Sequence, residues 1–253
     1  MLITLAIIGV VAAMTIPTLV AKYEVKQTVT ALRKFQTTMN QAYLRIVAEE
    51  GSANQWDVTT NESLYDVRHS VLFEKFRPYL RVSKDCIHGP GCFGEGTYKK
   101  IDGKDAKDWD GTYAWYKVSL ADGMSVLFHS RGTLASQYGN TTEHGTILVD
   151  INGKKSPNTM GKDMFTFMIT NNGIVPYGHP RYKLEYHLID GNGNYMTDEN
   201  GDYVMTTDVM LDCNRQNCVN YCESCAAWVV EHGNMDYLHC DDLSWDGKHK
   251  CSD

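Results

Sequence analysis

Residues 1–21 read MLITLAIIGVVAAMTIPTLVA, a run with no charge and scarcely a polar side chain. At about 1.5 Å per residue, a helix of this length spans roughly 30 Å, the thickness of a bilayer's hydrocarbon core. A core helix of a soluble body would show a polar stripe, and none occurs before Lys22. A cleaved secretory signal would open on a basic region. Here no Lys or Arg precedes the run, and a helical pattern continues past it. Residues 1–21 are therefore read as a retained transmembrane helix.

The continuation is amphipathic. Val25, Val29, Leu32, Met39, Tyr43, Ile46 and Val47 recur at steps of three and four, with Phe35 beside them. Lys26, Arg33, Lys34 and Arg45 fall between these positions. Glu49-Glu50-Gly51 marks an end, because glycine is the usual residue just past a helix C-terminus. One helix over residues 1–50 is thus expected to begin in lipid and finish in water. Gly9 and Ala13 form a small-xxx-small pair, which lets helix backbones approach closely in lipid. Pro17 cannot donate to the carbonyl of Ala13 and is expected to kink or loosen the helix there.

The whole chain, 43% hydrophobic, 11% aromatic and 22% charged, has the composition of a folded protein rather than a disordered or collagen-like one. Its formal net charge is −7. Residues 22–50 carry five basic and three acidic side chains, which leaves −9 on residues 51–253. An acidic body repels phosphate backbones and argues against nucleic acid as a partner.

That body reads as mostly β. Ala121-Asp122-Gly123 joins strand-like runs over 112–120 and 124–130, and Asn171-Asn172-Gly173 joins 165–170 to 174–177. Further runs occur at 146–151 and 182–189. Tyr65, Val71, Leu72, Phe76 and Leu80 recur loosely with helical period. The fold class is α+β: a long N-terminal helix packed on an antiparallel β-sheet, with a disulfide-rich C-terminal region. Residues 51–253 form one globular head whose tail is 213–251.

Eight cysteines bear on the compartment. Cys86 and Cys92 bracket a Pro-Gly loop, while Cys213, Cys218, Cys222, Cys225, Cys240 and Cys251 crowd into 39 residues. An even, clustered count after a membrane anchor predicts disulfides in an oxidising space, with fifteen pairings open to the six. A zinc cluster of Cys218, Cys222 and Cys225 with Cys240 or His239 is the alternative. The 39 residues hold few aliphatic side chains, so cross-links or ligands are expected to supply their order.

Calcium is a possible cofactor. Asp190, Asn192 and Asn194 alternate, then Asp198, Asn200 and Asp202, the spacing of short oxygen ligands for a hard cation. Asp150, Asn152 and Asp163 offer a similar set. Neither alternating run has the glycine or glutamate of an EF-hand, and plain hairpin turns give the same pattern. No nucleophile-elbow, zinc-protease, P-loop or dinucleotide motif occurs, so no enzymatic activity is expected.

The stretch TLAIIGVVAAMTIP, with its order of Gly9, Ala12-Ala13 and Pro17, resembles the N-terminal helix of type IV pilins and type II secretion pseudopilins. The resemblance covers about 50 residues. It implies a structural subunit, a pseudopilin or minor pilin, that assembles through this helix into a filament. The implied partners are sister pilin or pseudopilin subunits and an inner-membrane assembly platform. The implied location is the bacterial inner membrane, with the head in the periplasm, and the filament or cell surface after assembly. The family's basic leader and intramembrane Glu would lie upstream of Met1, so a prepilin peptidase joins the partners if the true start is upstream. Cys225-Ala-Ala-Trp228-Val-Val and Asn234-Met-Asp-Tyr237-Leu-His-Cys240 resemble tails of bacterial pilin-like proteins. That implies Trp228, Tyr237 and Trp245 as packing residues around the disulfides. The alternative is a membrane-anchored adhesin or binding protein that does not polymerise.

Overall fold

The computed structural model describes residues 2–56, 58, 65–113, 115–130, 137–138, 141–181, 184–187, 205–208 and 213–252. Helix α1 (Leu2–Glu50) runs unbroken through Pro17. The missing donor costs one hydrogen bond in a helix that the flanking turns carry onward, so the expected loosening does not interrupt it. Gly51 ends α1 at φ 82°, in the left-handed region, and donates its N–H to the Val47 carbonyl at 3.0 Å. Two glutamates at a negative helix end are unfavourable, and here Glu50 is paired with Lys75 of α2 (Tyr65–Phe76).

Six strands form the main sheet: β1 (Val82–Ile87), β2 (Tyr116–Leu120), β3 (Ser125–Ser130), β5 (Thr141–Asp150), β6 (Met164–Thr170) and β7 (Gly173–Pro176). They lie in the order β1-β2-β3-β5-β6-β7, antiparallel throughout. The first residues of β5 pair instead with β4 (Gln137–Tyr138), which leads to β8 (Leu184–His187) and β9 (Met205–Asp208). Both expected hairpins are present, at the β2–β3 and β6–β7 turns. Thr112, Tyr113 and Trp115 are not strand as expected, and β2 begins only at Tyr116. β1 escapes sequence reading because it is an exposed edge strand with charged side chains and two register shifts.

The pleat divides the sheet's apolar residues between two cores. Val126, Phe128, Ile147, Val149, Phe165, Phe167 and Ile169 belong to the helix-side core, while Leu127, Leu148 and Met164 belong to the opposite one. Register brings Val126, Val149 and Phe165 into one row and Phe128, Ile147 and Phe167 into the next. The second core is closed by Phe93, Tyr98, Trp109 and Met160, from the long connections on either side. Burial on both faces is why β3 and β6 read as near-continuous apolar runs rather than alternating ones.

The second half of α1 lies in the helix-side core through Leu32, Phe35, Met39, Ala42, Tyr43 and Ile46. Phe35 meets Phe167 edge-on at 5.2 Å between ring centroids. Asn40 pairs with the edge strand β7 as a further strand would. Its Nδ2 donates to the Ile174 carbonyl at 2.9 Å and its Oδ1 accepts the Ile174 N–H at 2.8 Å. Gly173 makes room for this pairing. It sits at φ 124°, and a β-carbon there would lie 2.7 Å from Asn40 Oδ1. On the sheet's other flank α2 buries Leu72, Phe73 and Phe76, and Phe73 stacks on Tyr116 at 4.5 Å.

The C-terminal segment folds as α3 (Arg215–Tyr221) and α4 (Ala226–His232). Seven-residue helices carry too few turns to show periodicity, and neither is legible in the sequence. The expectation that this segment buries little apolar surface is wrong. Ala226, Trp228, Val229, Met235, Tyr237 and Leu243 are all members of the helix-side core. Arg33 of α1 fastens it, donating from both Nε and a terminal nitrogen to the Val230 carbonyl at 3.0 and 2.7 Å.

Phe35→Ala is expected to lower stability by about 3–5 kcal/mol through the cavity it leaves. Asn40→Leu, which orphans both backbone groups of Ile174, should cost about 1–3 kcal/mol. Chemical denaturation of the full chain in detergent measures both.

Candidate functional site

Between Ile8 and Glu24, α1 has almost no protein covering it. Ile8, Val10, Val11, Met14, Ile16, Leu19 and Val20 are all exposed. At about 100° per residue these positions go right round the helix, so the segment is apolar on every side rather than along one stripe. It is long and apolar enough to cross a membrane. Among the described side chains, the hydroxyls of Thr15 and Thr18 are satisfied within the helix, Thr15 on the Val11 carbonyl at 2.9 Å and Thr18 on the Thr15 carbonyl at 2.8 Å. An apolar surround demands this of any polar group. Gly9 and Ala13 are both exposed on this segment, and a β-carbon at Gly9 would meet nothing within 4 Å. Pro17 lies one turn further along, before the first charge at Lys22.

Exposed apolar surface on this scale marks contact with a lipid or a protein partner. The change from wholly exposed to buried comes within two turns, between Tyr23 and Val29. Downstream, Arg33, Asn40 and the Lys34–Asp122 ion pair, at 2.8 Å, hold the helix to the body. A pull on the exposed half is therefore transmitted to the sheet and to α4 along one continuous helix.

All eight cysteines are paired. Cys86–Cys92 closes the Pro-Gly loop as expected, and of the fifteen pairings open to the others the fold selects Cys213–Cys225, Cys218–Cys222 and Cys240–Cys251. The predicted packing residues sit among them. Trp228 is fully buried with its Nε1 on Asn234 Oδ1 at 3.0 Å, and Tyr237 donates to the Gly161 carbonyl at 2.7 Å. Trp245 packs against Trp228 at 5.1 Å, and the His232 and His249 rings stack at 4.2 Å beside them. Burial, with His249 close by, pushes the His232 imidazole below its usual pKa. Asn214 caps α3 by accepting the Asn217 N–H, and Gly233 ends α4 at φ 67°.

Asp150 and Asp163 come together at the loop between β5 and β6, and both are buried. Tyr98 donates to Asp150 at 2.5 Å, and the Asn152 N–H to its other oxygen at 3.1 Å. Asp163 accepts Asn152 Nδ2 at 3.0 Å and the Thr159 N–H at 2.9 Å. The carboxylate oxygens therefore close the loop by hydrogen bonds, a role that sequence pattern alone does not separate from cation binding. Burial raises the Asp150 pKa to about 7 and the Asp163 pKa to about 6. The other oxygen set, Asp190, Asn192, Asn194, Asp198, Asn200 and Asp202, lies outside the described residues.

Two polar arrangements had no sequence signal. Lys117 is fully buried in β2, where its ammonium donates to the Asp110 and Thr112 carbonyls at 2.6 and 2.7 Å, and desolvation lowers its pKa. The Asp110 carboxylate gathers the N–H groups of Gly91, Cys92 and Phe93, fixing the disulfide loop. Ser70 Oγ lies 3.2 Å from His88 Nε2, and the other ring nitrogen of His88 faces the Trp115 carbonyl at 3.2 Å. A carbonyl thus orients this imidazole, where the familiar hydrolytic triad uses a carboxylate.

No family model, no curated protein and no solved structure matches this chain.

The buried carboxyls predict a pH dependence. Their folded pKa values lie above the unfolded value near 4, so the stability they contribute is complete at low pH. It is lost as pH rises through 6 and 7. The chain should melt at a higher temperature at pH 5 than at pH 8, by a margin that shrinks in Asp150→Asn. Thermal melts of both proteins across this range supply the check.

Proposed function

We propose that this chain is a pilin-like structural subunit, a pseudopilin or minor pilin, that assembles through α1 into a type II secretion or type IV pilus filament. One observation carries it. A single unbroken helix is apolar and exposed on all sides from Ile8 to Val20, and is locked into an acidic head by its second half. That division suits a subunit which exchanges one apolar environment for another. Before assembly the segment rests in the inner membrane, with the disulfide-bonded head in the periplasm. After extraction the same segment packs against sister helices. Gly9 and Ala13 allow the close approach, and Pro17 supplies a carbonyl without its usual donor, where bending costs least.

The chain contributes surfaces rather than reactive groups. Its partners are other pilin or pseudopilin subunits and an inner-membrane assembly platform, and a prepilin peptidase if the true start lies upstream. The net −9 on residues 51–253 sets it against nucleic acid. The resemblance of its first 50 residues to pilin helices agrees with this role.

Co-expression with a type II secretion or type IV pilus apparatus tests the proposal. The native chain should appear in sheared filaments. Gly9→Leu with Ala13→Leu should leave the head folded and the chain in the membrane while cutting its recovery in filaments roughly tenfold, the effect of about 1.4 kcal/mol per contact. A native chain that stays wholly in the membrane fraction would favour an anchored adhesin or binding protein instead.

A further inference from the structure

The fold gathers four sulfurs that the sequence spreads over thirteen residues. Cys213 precedes α3, Cys218 lies within it, Cys222 just follows it, and Cys225 leads into α4. The Sγ atoms of Cys218, Cys222 and Cys225 all lie within 4.8 Å of one another; Cys213 stands outside that group and reaches it through its bond to Cys225. All four are buried.

As cross-links these pairs are unequal. Cys213–Cys225 joins the segment before α3 to the start of α4, and Cys240–Cys251 closes the end of the chain onto the turn after α4. Cys218–Cys222 spans four residues of a continuous helical stretch, whose backbone already places positions i and i+4 one turn apart. It ties no second element to the fold. Two cysteines whose cross-link adds so little tertiary constraint call for another use, and their nearest neighbours are two more sulfurs.

We infer that Cys213, Cys218, Cys222 and Cys225 form, in the reduced chain, a tetrathiolate site for one soft divalent metal ion of the zinc class. Four converging thiolates are the closed donor set of a structural zinc, and sulfur ligands disfavour calcium and magnesium. The sequence offers Cys240 or His239 as the fourth ligand. The fold instead pairs Cys240 with Cys251, leaves His239 exposed and supplies Cys213. A recess walled by Cys218 and Cys222 opens beside the site, lined also by Lys100, Lys107 and Glu223. A divalent metal on four thiolates carries a net charge of −2, and Lys100 and Lys107 line the recess beside it.

Conversion between the two states balances simply. Each disulfide takes two electrons and two protons from a dithiol, which leaves as its own disulfide. The metal then displaces four thiol protons to solvent. Reoxidation by two equivalents of an external disulfide, which takes up the four electrons with four protons from solvent and leaves as dithiol, restores both cross-links and expels the metal.

The test uses the full chain in detergent, reduced anaerobically with a dithiol, freed of it, and titrated with cobalt(II) and then zinc(II). One cobalt per chain should bind, with sulfur-to-cobalt charge-transfer absorption and a tetrahedral visible band, both bleached by one equivalent of zinc. X-ray absorption of the zinc form should give four sulfurs at about 2.3 Å. C86S/C92S and C240S/C251S should keep the site, while C218S/C222S should weaken binding at least a hundredfold. A first shell with fewer than three sulfurs, no charge-transfer band, or unchanged affinity in C218S/C222S would overturn the inference. If C218S/C222S does not fold, the sulfur count on the native chain decides. Filament recovery plays no part in this readout, so either proposal can fail without the other.

Discussion

Everything in this fold hangs on one contact surface: the stripe from Val29 to Ile46 of α1, laid across the sheet and centred on Phe35 against Phe167. Strip it away and one face of a six-stranded sheet is open to water, α4 loses the guanidinium on its last turn, and β7 has no partner along its outer edge. Burial of large apolar side chains is worth about 1.5–3 kcal/mol each, so the stripe outweighs the polar links around it. Those links do something different. Arg33 and Asn40 are directional, and they fix where along the helix the head sits.

The two halves of this helix differ in pattern. Its second half shows a stripe because water lies on one side and a sheet on the other. Its first half has no stripe because apolar side chains stand on every side of it, a composition long and apolar enough to cross a membrane. Amphipathicity is a statement about the environment as much as about the helix, and here it changes within two turns. The first charges, Lys22, Glu24 and Lys26, come where the apolar run ends.

The sheet is unusual for an antiparallel one in being covered on both faces. The second cover comes from irregular connections carrying Phe93, Tyr98 and Trp109, which have no periodic pattern of their own. Such a cover needs polar anchors. Asp110 collects three backbone N–H groups, Lys117 satisfies two carbonyls, and Asp150 with Asp163 ties down the loop between β5 and β6. Each anchor places an ionisable group in a dry environment, and the displaced pKa values of Asp150, Asp163 and Lys117 follow from that burial.

What the sequence determined by itself is local. An uncharged run of bilayer length, a three-and-four spacing after it, a glycine at the helix end and two Asp/Asn-Gly turns are rules of backbone geometry and hydrophobic period. They act over a few residues, and the fold obeys them at α1, Gly51 and both hairpins. The Pro-Gly loop between Cys86 and Cys92 was legible for the same reason, being short enough to close only on itself. Tertiary structure alone decided the rest. β1 is held by pairing to β2 although its own side chains are charged and exposed, and α3 and α4 are too short to declare themselves. The tail looked polar because its aliphatic content is low. It is core because Trp228 and Tyr237, two large side chains, happen to face α1 and the sheet. Which cysteines meet, and which carboxyls lose their water, depends on chain segments distant in sequence arriving at one place, and no local pattern encodes an arrival.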